Sequence, residues 1–258
     1  MFDIENAKKV FQEYVDSFDK TQNGIRLKNA HTYRVADLIK RLAESISFSD
    51  EEIELAELIG LLHDIGRFEQ LKRYHTFLDS KSIDHAKLGV KILFEDGLIR
   101  RFIQTEEYDR IIKIAVDNHN KLEIEPNLSE KELVYCRLIR DADKIDIFYN
   151  NTTENRKIGF QDFDQQDERI SDTVLETFKQ GKQIENSKRK YFLDAYINMI
   201  SFIYDLNFMK SFEIIKEKGY INCLVNQLEL KDEKAKRVME EIKKTANEYI
   251  ENRIKEDV

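Results

Sequence analysis

Residues that break helices are scarce in this chain of 258 residues, which contains one proline, Pro126, and eight glycines. Charged residues make up 36% of the sequence and hydrophobic residues 41%, enough apolar material for a sizeable core. Charged and aliphatic residues with so few breakers favour helix nearly throughout. No stretch shows the alternation of a β-strand. The sequence therefore predicts an all-α protein.

Other absences limit the classes of protein. No apolar run approaches the length of a membrane span, and the start of the chain lacks the basic and apolar stretches of a signal peptide. The net charge of −8 disfavours a nucleic-acid polymer as partner. Cys136 and Cys223 lie far apart and form no CxxC motif, so we expect two buried, reduced thiols. These features predict a cytoplasmic protein without a membrane partner.

Capping signals and periodicity predict the helices. A first helix is expected from Asp3 to Phe18, and a second carries His31. Ser49 with Glu52 forms a capping box for a helix that runs into His63-Asp64. Residues 66–80 look irregular. Further helices are expected after Ser82 or Asp84, over 106–118, and from the capping box of Ser129 and Glu132 to Tyr149.

The texture of the sequence changes after Asn150. A polar stretch to Glu168 precedes long amphipathic helices over 171–179, 188–218 and 231–255. We therefore predict a helical core over residues 1–150 and a C-terminal helical extension over residues 151–258, which packs on the core or caps it.

Four of the five histidines lie on apolar faces of predicted helices. His31, His85 and His119 share such faces, and His63 ends an apolar run. Each alone is most simply a hydrogen-bonded core residue. Asp64 and Asp143 belong to the same inward set, and a buried carboxylate needs a partner. A metal ion is the simplest shared partner, since helix bundles build metal sites from inward side chains. His75 falls in a loop, outside this set.

The sequence resembles the HD superfamily of metal-dependent phosphohydrolases. Shared features are His31, the adjacent His63-Asp64 pair 32 residues later and the distant Asp143, strengthened by the strings His63-Asp64-Ile65-Gly66-Arg67 and Ala142-Asp143-Lys144. The resemblance covers residues 25 to 150. It implies an HD-domain helical bundle that carries the site.

His85, four residues before Gly89, and His119 match members with two metals. The resemblance implies that Asp64 bridges the metals, that His31, His63 and Asp143 hold one, and that His85 and His119 hold the other. Nitrogen and oxygen ligands suit two divalent transition-metal ions, with Fe or Mn preferred and Zn, Co, Ni or Mg also compatible. The paired histidine and Gly-Tyr-Pro segment of cyclic-di-GMP phosphodiesterases do not occur, so we do not assign that subgroup.

The resemblance implies hydrolysis of a phosphate ester or anhydride by a hydroxide that bridges the metals. The expected partner is a small phosphorylated substrate, a nucleotide or metabolite. Asp64, Arg67 and Lys144 are predicted to be catalytic, and Arg34, Arg67 and Lys144 to contact phosphate. Asp84, Asp117 and Asp141 are candidates to orient the ligating histidines.

Two alternatives stay open. An HD-fold di-iron oxygenase of the inositol oxygenase-like type has the same six ligands, so ligand identity does not separate it from a hydrolase. A nucleotide-binding HD sensor without turnover is the second alternative. Such a degenerate domain normally lacks ligands, and this sequence retains all six.

Overall fold

The computed structural model describes residues 3–153, 160 and 163–256, and no β-strand occurs in these ranges. The predicted all-α class is confirmed. Two compact units divide the chain, Met1–Asp143 and Lys144–Val258. The helices that begin in the first unit are α1 (Ile4–Asp16), α2 (Asn23–Ser45), α3 (Asp50–Leu62), α4 (Ile65–Tyr74), α5 (His85–Val90), α6 (Ile99–Phe102), α7 (Asp109–Asn118) and α8 (Glu130–Asn151).

The predicted helix caps are confirmed in the first unit, and of the two candidates Ser82 and Asp84 the structure selects Asp84. Ser49 and Glu52 form the capping box of α3, and the side chain of Asp84 accepts hydrogen bonds from the first amides of α5. Ser129 donates its backbone N–H to Glu132 Oε2 over 2.8 Å at the start of α8. These caps satisfy amide groups that have no partner inside a helix.

Close approach of α2 and α3 sets the frame of the first unit. A Cβ atom on Gly60 of α3 would lie 2.8 Å from the Cα of Ala36 on α2, so the two backbones nearly touch. Around them, α1 packs on α3 and α6, and α5 packs on both α4 and α7. Tyr135 of α8 donates to the carbonyl of Glu52 over 3.2 Å, which ties α8 to α3.

The irregular segment predicted over 66–80 is wrong in its first half, because residues 65–74 form α4. Gly66 lies within this helix, where the lack of a side chain permits close packing against α5. Arg73 and Glu69 form an (i, i+4) pair of 2.6 Å on the solvent side, and Phe68 and Gln70 are buried. The amphipathic pattern therefore holds through this short helix.

The helices of the second unit after α8 are α9 (Asp172–Lys179), α10 (Phe192–Ile200), α11 (Met209–Lys218), α12 (Tyr220–Asn226) and α13 (Glu233–Glu256). The single helix predicted over 188–218 is wrong: a 3-10 turn over 201–205 and an extended segment separate α10 from α11. Ser201 Oγ accepts a hydrogen bond from the Ile184 amide, which lies in the segment between α9 and α10. This tertiary contact favours a turn at residue 201 over a continuous helix.

Three further expectations concern the whole chain. The domain boundary predicted at residue 150 stays a prediction, and part of the polar stretch after it, 154–159 and 161–162, lies outside the described residues. Cys136 is buried as predicted, but Cys223 is exposed on α12, so its predicted burial is wrong. Within the described ranges, no helix combines the length and apolarity needed to cross a membrane.

Candidate metal centre

One carboxylate, Asp64, lies between two pairs of histidines. Its Oδ2 is 3.4 Å from His31 Nε2 and 3.6 Å from His63 Nε2. Its Oδ1 is 3.4 Å from His85 Nε2 and 3.6 Å from His119 Nε2. All five side chains are buried. The two oxygens of one side chain therefore face two separate groups of nitrogen donors.

Asp143 joins the first of these groups. Its Oδ1 lies 3.2 Å from His31 Nε2 and 3.9 Å from His63 Nε2. The structure thus brings together all six side chains that the sequence suggested as ligands. His75 lies apart from them at the end of α4, exposed and in a left-handed conformation with φ of 55°.

Adjacent residues can both face the centre because the helix ends between them. His63 follows the last residue of α3, and Asp64 leaves helical geometry with φ of −106° and ψ of 17° before α4 begins at Ile65. Gly66 then allows α4 to meet α5, since a Cβ there would lie 2.2 Å from the carbonyl oxygen of His85. This contact brings His85 next to Asp64.

Three histidine rings are fixed by hydrogen bonds at Nδ1. His63 Nδ1 lies 2.7 Å from the Gly60 carbonyl, and His119 Nδ1 lies 2.7 Å from the Val116 carbonyl. Because a carbonyl only accepts, each Nδ1 carries the proton and each Nε2 has a free lone pair. His85 Nδ1 lies 2.7 Å from Asp79 Oδ2, which sets the same tautomer.

Burial keeps His63 and His85 neutral. It lowers the pKa of His63 to about 3. Burial, followed by the charge of Arg67, lowers the pKa of His85 to about 4. Imidazoles with such pKa values carry no charge at neutral pH, which is the state that binds a metal ion.

The carboxylates of the centre stay ionised. Burial opposes the ionisation of Asp64, but nearby groups, first among them the charge of Lys28, outweigh it and hold its pKa well below the usual value. Burial also opposes ionisation of Asp143, and the hydrogen bond from His31 lowers its pKa nonetheless. Neutral imidazoles and charged carboxylates are the donor set that divalent transition metals prefer.

The donor atoms are arranged for a cation. The Nε2 atoms of His85 and His119 lie 3.0 Å apart, and both carry lone pairs because their protons are on Nδ1. No proton lies between them to form a hydrogen bond, so their lone pairs repel unless a positive charge intervenes. Two overlapping groups of side chains could hold an ion here, namely His31, His63 and Asp64, and Asp64, His85 and His119. The donors therefore fit the metals that the sequence suggested.

Asp79, which the sequence analysis missed, supports His85. Its Oδ2 accepts from His85, while its Oδ1 lies 2.9 Å from both Arg67 Nη1 and Gln70 Nε2. Burial opposes its ionisation, but the hydrogen bond from His85 and the charge of Arg67 lower the pKa of Asp79 to about 2. The only sequence signal was an acidic residue shortly before His85.

Arg140 holds the chain that follows His119. This fully buried side chain on α8 donates to the carbonyls of Asn118, Lys121 and Leu122. The carbonyls at the end of α7 lack partners within the helix, so the guanidinium satisfies them. The contact fixes the turn that carries His119.

The three residues predicted to contact the substrate differ in their partners and in their burial. Arg67 Nη1 bonds Gln70, Phe77 and Asp79, and Arg67 Nε lies 3.5 Å from Asp64 Oδ1. Lys144 is buried and pairs with Asp205 over 2.7 Å. Arg34 is partly buried on α2, one turn beyond His31. Their contact with phosphate stays a prediction.

The predicted orienting carboxylates also differ from Asp79 in position. Asp84 caps α5 and accepts from Asn120 Nδ2 over 3.0 Å. Asp117 pairs with Lys121, and Asp141 is fully buried on α8. Asp79, from the loop between α4 and α5, is the carboxylate that contacts His85 through Nδ1.

A family model described as HD domain matches residues 30–147. Residues 30–147 of this chain form an HD domain. The resemblance drawn from the sequence is thereby confirmed. No curated protein and no solved structure matches the chain. The HD domain contains both ends of the ligand set, from His31 to Asp143. HD domains bind divalent metals and are typically phosphohydrolases, and this one has buried histidine and aspartate groups that could hold metal.

Proposed function

We propose that this HD domain hydrolyses a phosphate ester or anhydride of a small molecule, a nucleotide or phosphorylated metabolite, with two divalent transition-metal ions. The observation that carries the proposal is the position of Asp64, whose two oxygens face two groups of histidines. When bound, two metal ions lower the pKa of water and neutralise charge on phosphate oxygens. A phosphate substrate needs both effects.

The side chains of the domain have separate tasks in this proposal. His31, His63 and Asp143 would hold one ion, His85 and His119 would hold the other, and Asp64 would offer one carboxylate oxygen to each group. Arg67 keeps Asp64 and Asp79 in place through its ion pairs. Arg34, Arg67 and Lys144 remain the predicted contacts of the phosphate. For this contact Lys144 would have to share its ammonium with Asp205.

The test is an assay of the protein loaded with Mn²⁺ or, without oxygen, with Fe²⁺. The substrates are nucleoside mono-, di- and triphosphates and bis-nucleoside polyphosphates, and the readout is release of phosphate or nucleotide. His63→Ala and Asp64→Ala should each lower turnover by at least about 100-fold, since loss of a residue that only orients a metal ligand can already cost that much. His75→Asn, which keeps a residue tolerant of positive φ outside the centre, should retain activity.

The two alternative functions, an oxygenase and a sensor without turnover, predict different results in these assays. Oxygen consumption by the Fe²⁺ protein without phosphate release would replace the proposal with an oxygenase. Nucleotide binding without metal and without turnover, measured by calorimetry, would replace it with a sensor. Turnover that survives in both His63→Ala and Asp64→Ala would place the chemistry elsewhere in the protein.

A further inference from the structure

A lysine, Lys28, forms an ion pair with one carboxylate oxygen of Asp64. Lys28 lies on α2, one turn before His31, and its Nζ is 2.6 Å from Asp64 Oδ2. The same oxygen faces the Nε2 atoms of His31 and His63 at 3.4 and 3.6 Å. The ammonium group is therefore the nearest cation to a carboxylate oxygen that belongs to the first ligand group.

The Lys28 ammonium group and a metal ion would repel each other if both contacted Asp64 Oδ2. An ion held by His31, His63 and Asp64 Oδ2 would lie next to Lys28 Nζ, and two cations at that separation repel each other in a buried site. The lysine is the group that can leave, because its stem is flexible and its side chain is 22% exposed. Asp64 is only 3% exposed, and its backbone joins two helices.

The path open to the displaced ammonium leads toward solvent. Lys28 Nζ lies 5.8 Å from the centroid of the Phe77 ring, so the ammonium group is beside an aromatic face as well as Asp64, and the side chain is 22% exposed. A lysine so placed keeps its stem packed and its charge in water. It remains within one side-chain length of any anion that approaches Asp64.

We propose that Lys28 is a substrate-binding residue: its ammonium pairs with Asp64 in the metal-free protein, is displaced when metal binds, and then contacts the phosphate of the substrate. The inference rests on the proposed function and adds a residue to it. It requires Lys28 to oppose metal binding and to favour phosphate binding. A residue that only stabilised the fold would not have these two opposite effects.

The test uses Lys28→Met, which keeps the length of the stem and removes the charge. Mn²⁺ affinity is measured by calorimetry without substrate, and inorganic phosphate affinity is measured on the Mn²⁺-loaded protein. Lys28→Met should bind Mn²⁺ roughly 10-fold more tightly, because one competing charge-assisted hydrogen bond is lost. It should bind phosphate roughly 10-fold more weakly, because one charge-assisted contact is lost.

Two further variants complete the design. Lys28→Arg keeps the charge and should restore both affinities toward the wild-type values, which also keeps the test informative if Lys28→Met folds poorly. Lys40→Met is the matched control, since Lys40 lies on the same helix and pairs with another buried carboxylate, Glu57, at 3.5 Å. Both affinities should be unchanged in Lys40→Met.

Unchanged or weaker Mn²⁺ binding in folded Lys28→Met would overturn the competition, and unchanged phosphate binding would overturn the substrate contact. Failure of the proposed function has a different signature. In that case the wild-type protein turns over no phosphate compound, whatever the two affinities of the Lys28 variants.

Discussion

At the scale of single residues, the centre depends on which ring nitrogen of each histidine carries the proton and which one can bind a metal ion. Nδ1 of His63 and His119 is bonded to a backbone carbonyl, and Nδ1 of His85 is bonded to Asp79. Each ring therefore presents Nε2 to Asp64. A hydrogen bond at the second nitrogen fixes the ring of a histidine so that the first nitrogen can act as a ligand.

Asp79 offers the sharpest test at this scale. Asp79→Asn keeps the shape of the side chain but removes the charge that orients His85 and balances Arg67. We expect the ion held by His85 and His119 to bind about 10–100-fold more weakly. The ion held by His31, His63 and Asp143 should keep its affinity. A calorimetric titration with Mn²⁺ should therefore resolve one weakened and one unchanged equivalent.

Asp96→Asn is the control for this substitution, because Asp96 is exposed and pairs with Lys91 on the surface. Its titration should match that of the wild type. Equal weakening of both equivalents in Asp79→Asn would mean that Asp79 supports the whole fold rather than His85.

At the scale of elements, most ligands lie at helix ends. His63 and His119 each follow the last residue of a helix, Asp64 precedes α4, and His85 is the first residue of α5. A side chain at a helix end can point along the axis as well as away from it, so four short helices can converge on one point. His31 and Asp143 come from the interiors of α2 and α8.

Two glycines at the contact of α4 and α5 provide a matched pair of variants. In Gly66→Ala the new Cβ would lie 2.2 Å from the His85 carbonyl oxygen, so α5 must shift. We expect a loss of roughly 1–3 kcal/mol in the free energy of unfolding, as for other overpacked positions. Mn²⁺ binding at His85 and His119 should weaken as well.

Gly89→Ala is the control, because its Cβ would meet its nearest neighbours at 3.5 Å, an ordinary contact distance. Alanine favours helix over glycine by about 1 kcal/mol, so this variant should be as stable as the wild type or more so. Denaturant unfolding measures both variants. Equal stability of the two would show that α4 and α5 can separate without cost.

At the scale of the whole molecule, a bound metal ion would link the centre to the stability of the fold. Two ionised carboxylates, Asp64 and Asp143, lie beside the neutral His63 in the first unit. Metal binding to the folded protein alone stabilises it by mass action. The stability of the first unit should therefore depend on metal.

Removal of metal by a chelator should lower the melting temperature of the transition that includes the first unit. At a free metal concentration 100 times the dissociation constant, the stabilisation is about 2.7 kcal/mol. For a protein of this size that corresponds to roughly 5–10 °C. Differential scanning calorimetry with and without Mn²⁺ measures it. Asp64→Ala should show a much smaller shift, and a wild-type protein that melts at one temperature in both conditions would contradict metal binding.

The sequence alone determined the helical class, the caps of α3 and α8 and the candidate ligands, because these depend on short spacings along the chain. For α5 it left two caps open, Ser82 and Asp84, and the structure selects Asp84. The sequence did not predict α4, the break between α10 and α11, or the contacts of Asp79 and Lys28. Those depend on which backbones approach each other, as at Gly66, and on which buried polar group lacks a partner. Only tertiary packing decides both, since the groups involved are far apart in the sequence.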